Sequence, residues 1–331
     1  MLRVAVTSGG AERGKEKMGI KTKISYCDST VNPVMGCSGC ELYSLVPSKN
    51  LCYAADLCKR YAGLKGWPAN FNNPEHFPGR LEKAIRWSDL TGKERPGKPW
   101  LNGMPRVIFV NDLSDGFCSA VDPWEWLEPH FRSMSESPHI WLLLTKWPDR
   151  MVDFFNGQYN GQVPSTFCLG ATVTGLKPRT DGRRTRGLLQ FTGRRRFQGK
   201  LWLSVEPLLG DVVANFAQGS RVDEVDWIVA GGASGRNAPP THPNHARALR
   251  DFAQGWGIPF FWKQWGEWVP TARHFEDGSG AWSQEEWIAS DGTFCTDLGP
   301  SGMAAMARVG KKAAGRLLDG VFWEQMPEGA K

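Results

Sequence analysis

Between Asn32 and Gly63 the chain reads NPVMGCSGCELYSLVPSKNLCYAADLCKRYAG and carries four of the chain's eight cysteines. Cys37 and Cys40 form a C-x-x-C pair, Cys52 follows after eleven intervening residues, and Cys58 lies about one and a half helical turns beyond it. Thiolates are soft ligands for iron–sulfur clusters and zinc. Three of them leave one coordination position open on an iron–sulfur cluster, whereas four close a structural zinc site. Zinc ribbons use two close pairs. Here the second pair, Cys52 and Cys58, has five residues between its members and falls on an expected helix, which makes closure awkward. Cys118, Cys168 and Cys295 stand alone and read as small buried hydrophobes. The six histidines are few, and none ends an expected strand, which argues against a histidine-held catalytic zinc.

A loop can present thiols only if a scaffold holds it. Apolar runs that end in polar or glycine residues recur at 106–115, 139–151, 167–175, 200–210, 226–235 and 258–266, with a weaker first run at 23–27. They are too short for helices and too continuous for strands with one wet face, so they read as parallel strands buried on both sides. Helices are expected between them at 53–64, 78–90, 122–135, 148–155 and 243–255, with Asp-Pro opening the third and glycine closing the last. Alternating strands and helices argue an α/β fold, a partial (β/α)6-type barrel with right-handed crossovers. No G-x-G-x-x-G follows the first strand, so a dinucleotide-binding fold has little support.

Barrel sites lie at the carboxyl ends of the strands. The residues there are Asn111, Asp112, Ser114 and Asp115, then Thr145 and Lys146, Thr172 and Thr174, Ser204 and Glu206, Gly231, Gly232 and Ser234, and Lys263 and Gln264. Asp112 and Ser114 also suit helix capping. Glu206 and Lys146 are harder to explain structurally, because a charge closing a buried strand needs a partner or a ligand.

At 331 residues, 41% hydrophobic and 22% charged, the chain is long enough for one large domain or two small ones. The expected organisation is a disordered leader at 1–20, a barrel at 21–268 and a C-terminal extension at 269–331. No apolar run approaches the roughly eighteen residues of a membrane helix, and the polar N-terminus lacks a signal-peptide core. A cytoplasmic protein with reduced thiols and no membrane partner is therefore expected. The net charge of +6 is concentrated: residues 177–200 hold nine Lys or Arg and one acid, Asp181. Such a block suggests phosphate contact, against the plainer reading of a solvated face. Most of the sixteen tryptophans belong in the core, although some could stack on a base.

The motifs STVNPVMGC, CYA, VNDLSD, LLTKWPDRM, SVEPLLG, DWIVAGGASG and FFWKQWG, in that order between Ile24 and Trp268, resemble a phage-associated protein family of poorly known activity related to radical S-adenosylmethionine (SAM) enzymes. The resemblance implies a [4Fe–4S] cluster held by Cys37, Cys40 and a third thiolate. Radical SAM enzymes use C-x3-C-x2-C, and this chain departs from it, so the third ligand is Cys52 or Cys58. The CYA that begins at Cys52 matches what commonly follows the last ligand and favours Cys52. The open iron would chelate SAM, whose reductive cleavage gives a 5′-deoxyadenosyl radical.

By position, Asn111, Asp112 and Ser114 would meet the SAM amino group, Thr172 and Glu206 its ribose or carboxylate, and Gly231 and Gly232 its adenine. Glu206, Lys146 and Lys263 are the expected catalytic groups. The implied activity is that of an isomerase or base-modifying enzyme acting on a nucleic acid or modified nucleotide, as in phage DNA hypermodification in the host cytoplasm, with flavodoxin or ferredoxin as electron donor. The alternatives are a non-radical barrel enzyme and a nucleic-acid-binding module, each with a structural zinc.

Overall fold

Residues Val107–Val110, VIFV, have no polar side chain to turn toward water, and all four are buried. In the structure, a computed structural model, they form one of seven parallel strands. The structure describes residues 22–193, 196–216, 221–271, 285–288, 294–295 and 304–327. The strands are β1 (Ser29–Val31), β2 (Val107–Val110), β3 (Ile140–Thr145), β4 (Phe167–Thr172), β5 (Lys200–Val205), β6 (Trp227–Ala230) and β7 (Phe260–Trp262). Their order in the sheet is their order in the chain, and every neighbouring pair is parallel. A sheet that winds in one direction without reversal is the partial barrel expected from the sequence, with seven strands.

Alternation along each strand divides the core in two. Ile108, Val110, Leu143 and Leu203 pack in the larger cluster with the apolar sides of the helices. Val107, Phe109, Leu142, Trp202, Trp227 and Phe261 fill the concave side. Gly170 of β4 has no side chain because the Trp202 indole occupies that space. The helices are α1 (Tyr53–Tyr61), α2 (Arg80–Ile85), α3 (Pro123–Trp126), α4 (Glu128–Glu136), α5 (Pro148–Tyr159), α6 (Pro178–Leu188), α7 (Pro243–Gly255) and α8 (Lys311–Ala314). The single helix expected at 122–135 is two, α3 and α4. Asp122 caps the first, accepting from the Trp124 N–H, and Pro129 cannot donate across the junction. The edge of β7 is covered by the chain's return: the Trp262 N–H donates to Trp323, and the Gln325 N–H to Phe260. Beyond β7, Trp268–Pro270, Ala304–Arg308, Glu285–Ile288 and Phe294–Cys295 form a small antiparallel sheet. The leader expected at 1–20 lies outside the described residues.

The first strand is not at 23–27. That segment is a strap whose carbonyls are taken: Lys98 Nζ donates to Thr22, Ile24 and Cys27 at 3.2, 2.6 and 2.5 Å, and Trp100 Nε1 donates to Ser25 at 3.0 Å. Carbonyls gathered around an ammonium cannot form a ladder, so pairing starts at Ser29. Asp28 marks the change, since its carboxylate accepts from the Val107 N–H at 2.9 Å and pairs with Arg95 at 3.2 Å. The strap places the Tyr26 ring in the barrel interior, within about 6 Å of the rings of Phe109, Trp202, Trp227 and Phe261.

Tyr26→Ala should remove that plug and destabilise the chain by about 3–5 kcal/mol. Tyr26→Phe keeps the ring and loses only its hydroxyl's hydrogen bond to the Glu206 carboxylate, about 1.5–3 kcal/mol. Urea unfolding measures both, and equal losses would mean that the ring is not the packing element.

Candidate active site

The cysteine loop departs from the end of β1, and the end of β2 holds it there. Asn111 sits in the left-handed region, φ 61°, which asparagine tolerates. Its Oδ1 accepts from the Val34 N–H at 3.1 Å, while Ser114 Oγ donates to the Val34 carbonyl at 2.9 Å. Asn32 Nδ2 donates to Asp112 Oδ1 at 2.7 Å, and Asn32 Oδ1 accepts from the Leu113 N–H at 3.0 Å. The Cys37 N–H then donates to Phe71 at 2.8 Å. Gly36, at φ 98°, permits that close approach: a Cβ there would lie 2.7 Å from the Phe71 carbonyl oxygen. Cys52 precedes the first turn of α1, and Asn50 shapes its approach by accepting from the Ser44 N–H and donating to Asp56.

The far side of the loop is anchored by an ion pair that sequence reasoning missed. Arg184 of α6 grips Glu41 with both arms, Nη1 to Oε1 at 2.6 Å and Nη2 to Oε2 at 2.8 Å. Its Nε donates to the Lys146 carbonyl at 3.1 Å and Nη1 to the Thr172 carbonyl at 3.4 Å. Both side chains of the pair are only 5% exposed. One guanidinium thus ties the residue after Cys40 to the ends of β3 and β4. The block at 177–200 is therefore not a uniform charged face. Lys177, Arg179, Arg183 and Arg186 are exposed, Arg184 points inward, and Arg194 and Arg195 lie outside the described residues. The available signal was Asp181 three residues before Arg184, an acid inside a basic helix.

These anchors enclose a cavity of about 440 Å³ at the carboxyl ends of the strands. Cys37, Cys40 and Cys52 line it, as do Asn111, Asp112 and Ser114. So do Lys146, Thr172, Glu206 and Lys263. Gly231 and Gly232 do not. A Cβ on Gly232 would strike the Trp265 carbonyl, so this glycine lets the β6 and β7 ends approach each other. Cys58 is buried in the core face of α1, away from the cavity. Cys118 is buried as expected but not isolated. It shares a hydrogen bond with Cys37, which, with Cys37 as donor, raises the Cys37 thiol and lowers Cys118 to about 6. Among the described residues, no group of three or more His, Cys, Asp or Glu side chains is gathered closely enough to hold a metal ion.

Two partly buried charge groups face the cavity. Burial alone would lower the Lys146 ammonium, but Cys40, Asp115 and Cys52 outweigh it and hold its pKa above the ordinary value. Asp115, itself raised by burial, accepts from Thr145 Oγ1 and from the Lys146 N–H, both at 2.7 Å. Glu206 meets Lys263 rather than Lys146: Nζ to Oε1 is 2.7 Å. The Tyr26 hydroxyl donates to Glu206 Oε2 at 3.0 Å, and the Lys263 ammonium lies 5.3 Å from the Tyr26 ring centre. A carboxylate held between a lysine and a phenol can bind a polar ligand group without being left unpaired.

Removing Arg184 should leave Glu41 charged and dry. Arg184→Met should cost about 3–5 kcal/mol of unfolding free energy, while Arg183→Met, on the exposed side of the same helix, should stay within about 0.5 kcal/mol. Similar losses for both would mean that the pair does not hold the loop.

No curated protein matches the sequence. A solved structure of spore photoproduct lyase complexed with dinucleoside spore photoproduct aligns at a TM-score of 0.41 with 10% identity, over 72% of this chain and 64% of that one. This chain therefore spans less than two thirds of that protein's length. A family model described as a protein of unknown function, DUF5131, matches residues 21–327. That span takes in the cysteine loop, all seven strands and α8, and the chain belongs to this family.

Proposed function

We propose that this protein is a radical SAM enzyme that modifies a nucleic-acid base. The observation that carries the reading is the meeting of Cys37, Cys40 and Cys52, and not Cys58, on one cavity wall at the carboxyl ends of a parallel barrel. A four-iron cube is wider than a single ion, so its thiolates stand further apart than ligands around one metal. Three thiols lining the cavity would leave one iron of a cluster open for SAM, whereas a structural zinc site would need a fourth ligand.

In this reading Cys37, Cys40 and Cys52 hold the cluster, and the rest of the cavity receives SAM and the base. When bound, the two cofactors supply one-electron chemistry able to take a hydrogen atom from an unactivated carbon. The protein binds, orients and excludes water. Lys146 offsets negative charge at Cys40 and Cys52. Asn111 and Ser114 act by holding Val34 at the root of the loop, through Asn111 Oδ1 and Ser114 Oγ. Thr172 and the Glu206–Lys263 pair offer a hydroxyl, a carboxylate and an ammonium to polar groups of the ligand. Residues 21–268 supply most of the catalytic body, and the described residues 304–327 complete it, since Lys311 lines the cavity and Trp323 pairs with the β7 edge. A base inside a duplex cannot reach such a cavity, so the substrate is single-stranded or its base is flipped out. A low-potential protein such as flavodoxin or ferredoxin supplies the electron.

Anaerobic reconstitution with iron and sulfide tests the cluster. Cys37→Ala, Cys40→Ala and Cys52→Ala should each lose bound iron and visible absorbance, whereas Cys58→Ala and Cys168→Ala should keep both. A normal cluster in all three of the first group, or colourless wild-type protein carrying stoichiometric zinc, would sink the proposal.

Glu206→Gln keeps shape and removes charge. One charge-assisted hydrogen bond is worth about 1.5–3 kcal/mol, so SAM affinity in equilibrium dialysis should fall about ten- to hundred-fold with iron content unchanged. Unaltered affinity together with a lower unfolding midpoint would make Glu206 a structural partner of Lys263 alone.

A further inference from the structure

Beside the cavity lies a second cleft of about 340 Å³, lined by Lys23, Lys98, Lys263, Lys311, Lys312 and Arg316 and by no carboxylate. Four chain segments bring these cations together: the strap at 22–28, the turn at 97–100, the end of β7, and α8 with the residues after it. Three of the six charges are committed. Lys98 holds the strap carbonyls, Lys263 pairs with Glu206, and Arg316 pairs with Glu324 while lying 4.7 Å from the Trp100 ring centre. Lys23, Lys311 and Lys312 are in no ion pair among the described residues. Their crowding has a measurable consequence. The Lys311 ammonium is pushed below its ordinary pKa by lost hydration and then by Lys263, with Lys23 adding to the effect. Glu206 and Glu267 oppose that shift, but the cations lining the cleft outnumber the carboxylates beside them. An excess of like charge costs free energy, and an arriving anion recovers part of it.

We propose that this cleft binds phosphate groups of the molecule whose reacting end occupies the neighbouring cavity. Lys23, Lys263, Gln264 and Lys311 line both spaces, so the two adjoin and one ligand can occupy both. One carboxylate would answer one ammonium. Three uncommitted lysines call for several negative oxygens, and an ammonium binds phosphate as a compact point charge. The exposed cations of α6 line neither space, so phosphate contact beside the cavity is assigned to the cleft rather than to that helix. This inference deepens the proposed function and takes from it only that the substrate is a nucleotide or a nucleic acid.

The test is binding, with no SAM and no turnover. A fluorescein-labelled single strand of about twelve nucleotides is titrated with the purified protein across a salt series, with tripolyphosphate as competitor. Each lost phosphate contact on a single strand lowers the slope of log affinity against log salt by about 0.7. The double variant Lys311→Gln/Lys312→Gln should therefore lose a slope of about 1.4 and bind about tenfold more weakly at low salt. Arg183→Gln/Arg186→Gln on α6 should match the wild type. Thymidine monophosphate separates the two phosphate sources: efficient competition identifies a free nucleotide, and weak competition a polynucleotide backbone.

An unchanged slope in the lysine variant, loss confined to the α6 variant, or no binding of either probe by the wild type would overturn the assignment. Iron content measured on the same samples keeps the two readings apart. Protein that binds the strand through Lys311 and Lys312 yet never acquires iron would uphold the cleft and refute the radical chemistry.

Discussion

Arg184 places a guanidinium where little water reaches it, and four of its five N–H donors find oxygens on three chain segments. Desolvating such a group costs several kcal/mol, and a buried ion pair often does no better than a well-packed apolar replacement. Its consequence is positional. Apolar side chains would hold the cysteine loop against β3 and β4 in many registers, whereas a planar fork that must satisfy a carboxylate and two carbonyls permits few. Glu41 immediately follows Cys40, so fixing one fixes the other. The site geometry depends on this contact because it joins Glu41 of the loop to the carbonyls at the ends of β3 and β4.

The same constraint explains how charge is distributed around the cavity. Parallel strands buried on both faces leave their polar residues only at the ends, and the carboxyl ends gather them on one side of the sheet. Asp112 and Asp115 are raised by burial, yet each is enclosed by donors: Asn32 for the first, Thr145 and the Lys146 N–H for the second. Asp115, with the Phe117 N–H as a third donor, has most of its hydrogen-bond capacity filled, whereas Asp112 keeps lone pairs on the cavity side. Lys146 and the Glu206–Lys263 pair have polar atoms facing the cavity. The division between polar groups that hold the loop and polar groups that can meet a ligand follows from which lone pairs and protons are already used.

Much of this was legible in the sequence, for a definite reason. Runs such as VIFV and IWLLLT are apolar on both faces, and only a covered parallel sheet accepts them, so the α/β class and the position of the site followed. The cysteine loop was legible from spacing alone. The strap was not: KISYC has the composition of a strand, and its fate is decided by Lys98, more than seventy residues later, which takes its carbonyls. Arg184 was hidden because a basic block looks the same whether one member turns inward or none does. Asn111 and Ser114 were legible as residues at the strand ends that line the cavity, but not by what they hold, since the Val34 backbone is distant in sequence. Long-range pairings of this kind leave almost no local signature.

The strap carries that lesson further, because a single segment serves core and site together. Tyr26 fills the barrel interior with its ring and donates its hydroxyl to Glu206, so the packing of the concave core and the position of a cavity carboxylate share one side chain. Lys23 lies three residues earlier and reaches the cationic cleft. The strap between them is held by Lys98, Trp100 and the Asp28–Arg95 pair, none of which touches the thiols. A cation delivered by a tethered segment loses less side-chain and backbone freedom on meeting an anion than one delivered by a free terminus. The interactions that close the concave core therefore also preorganise the edge of the cleft.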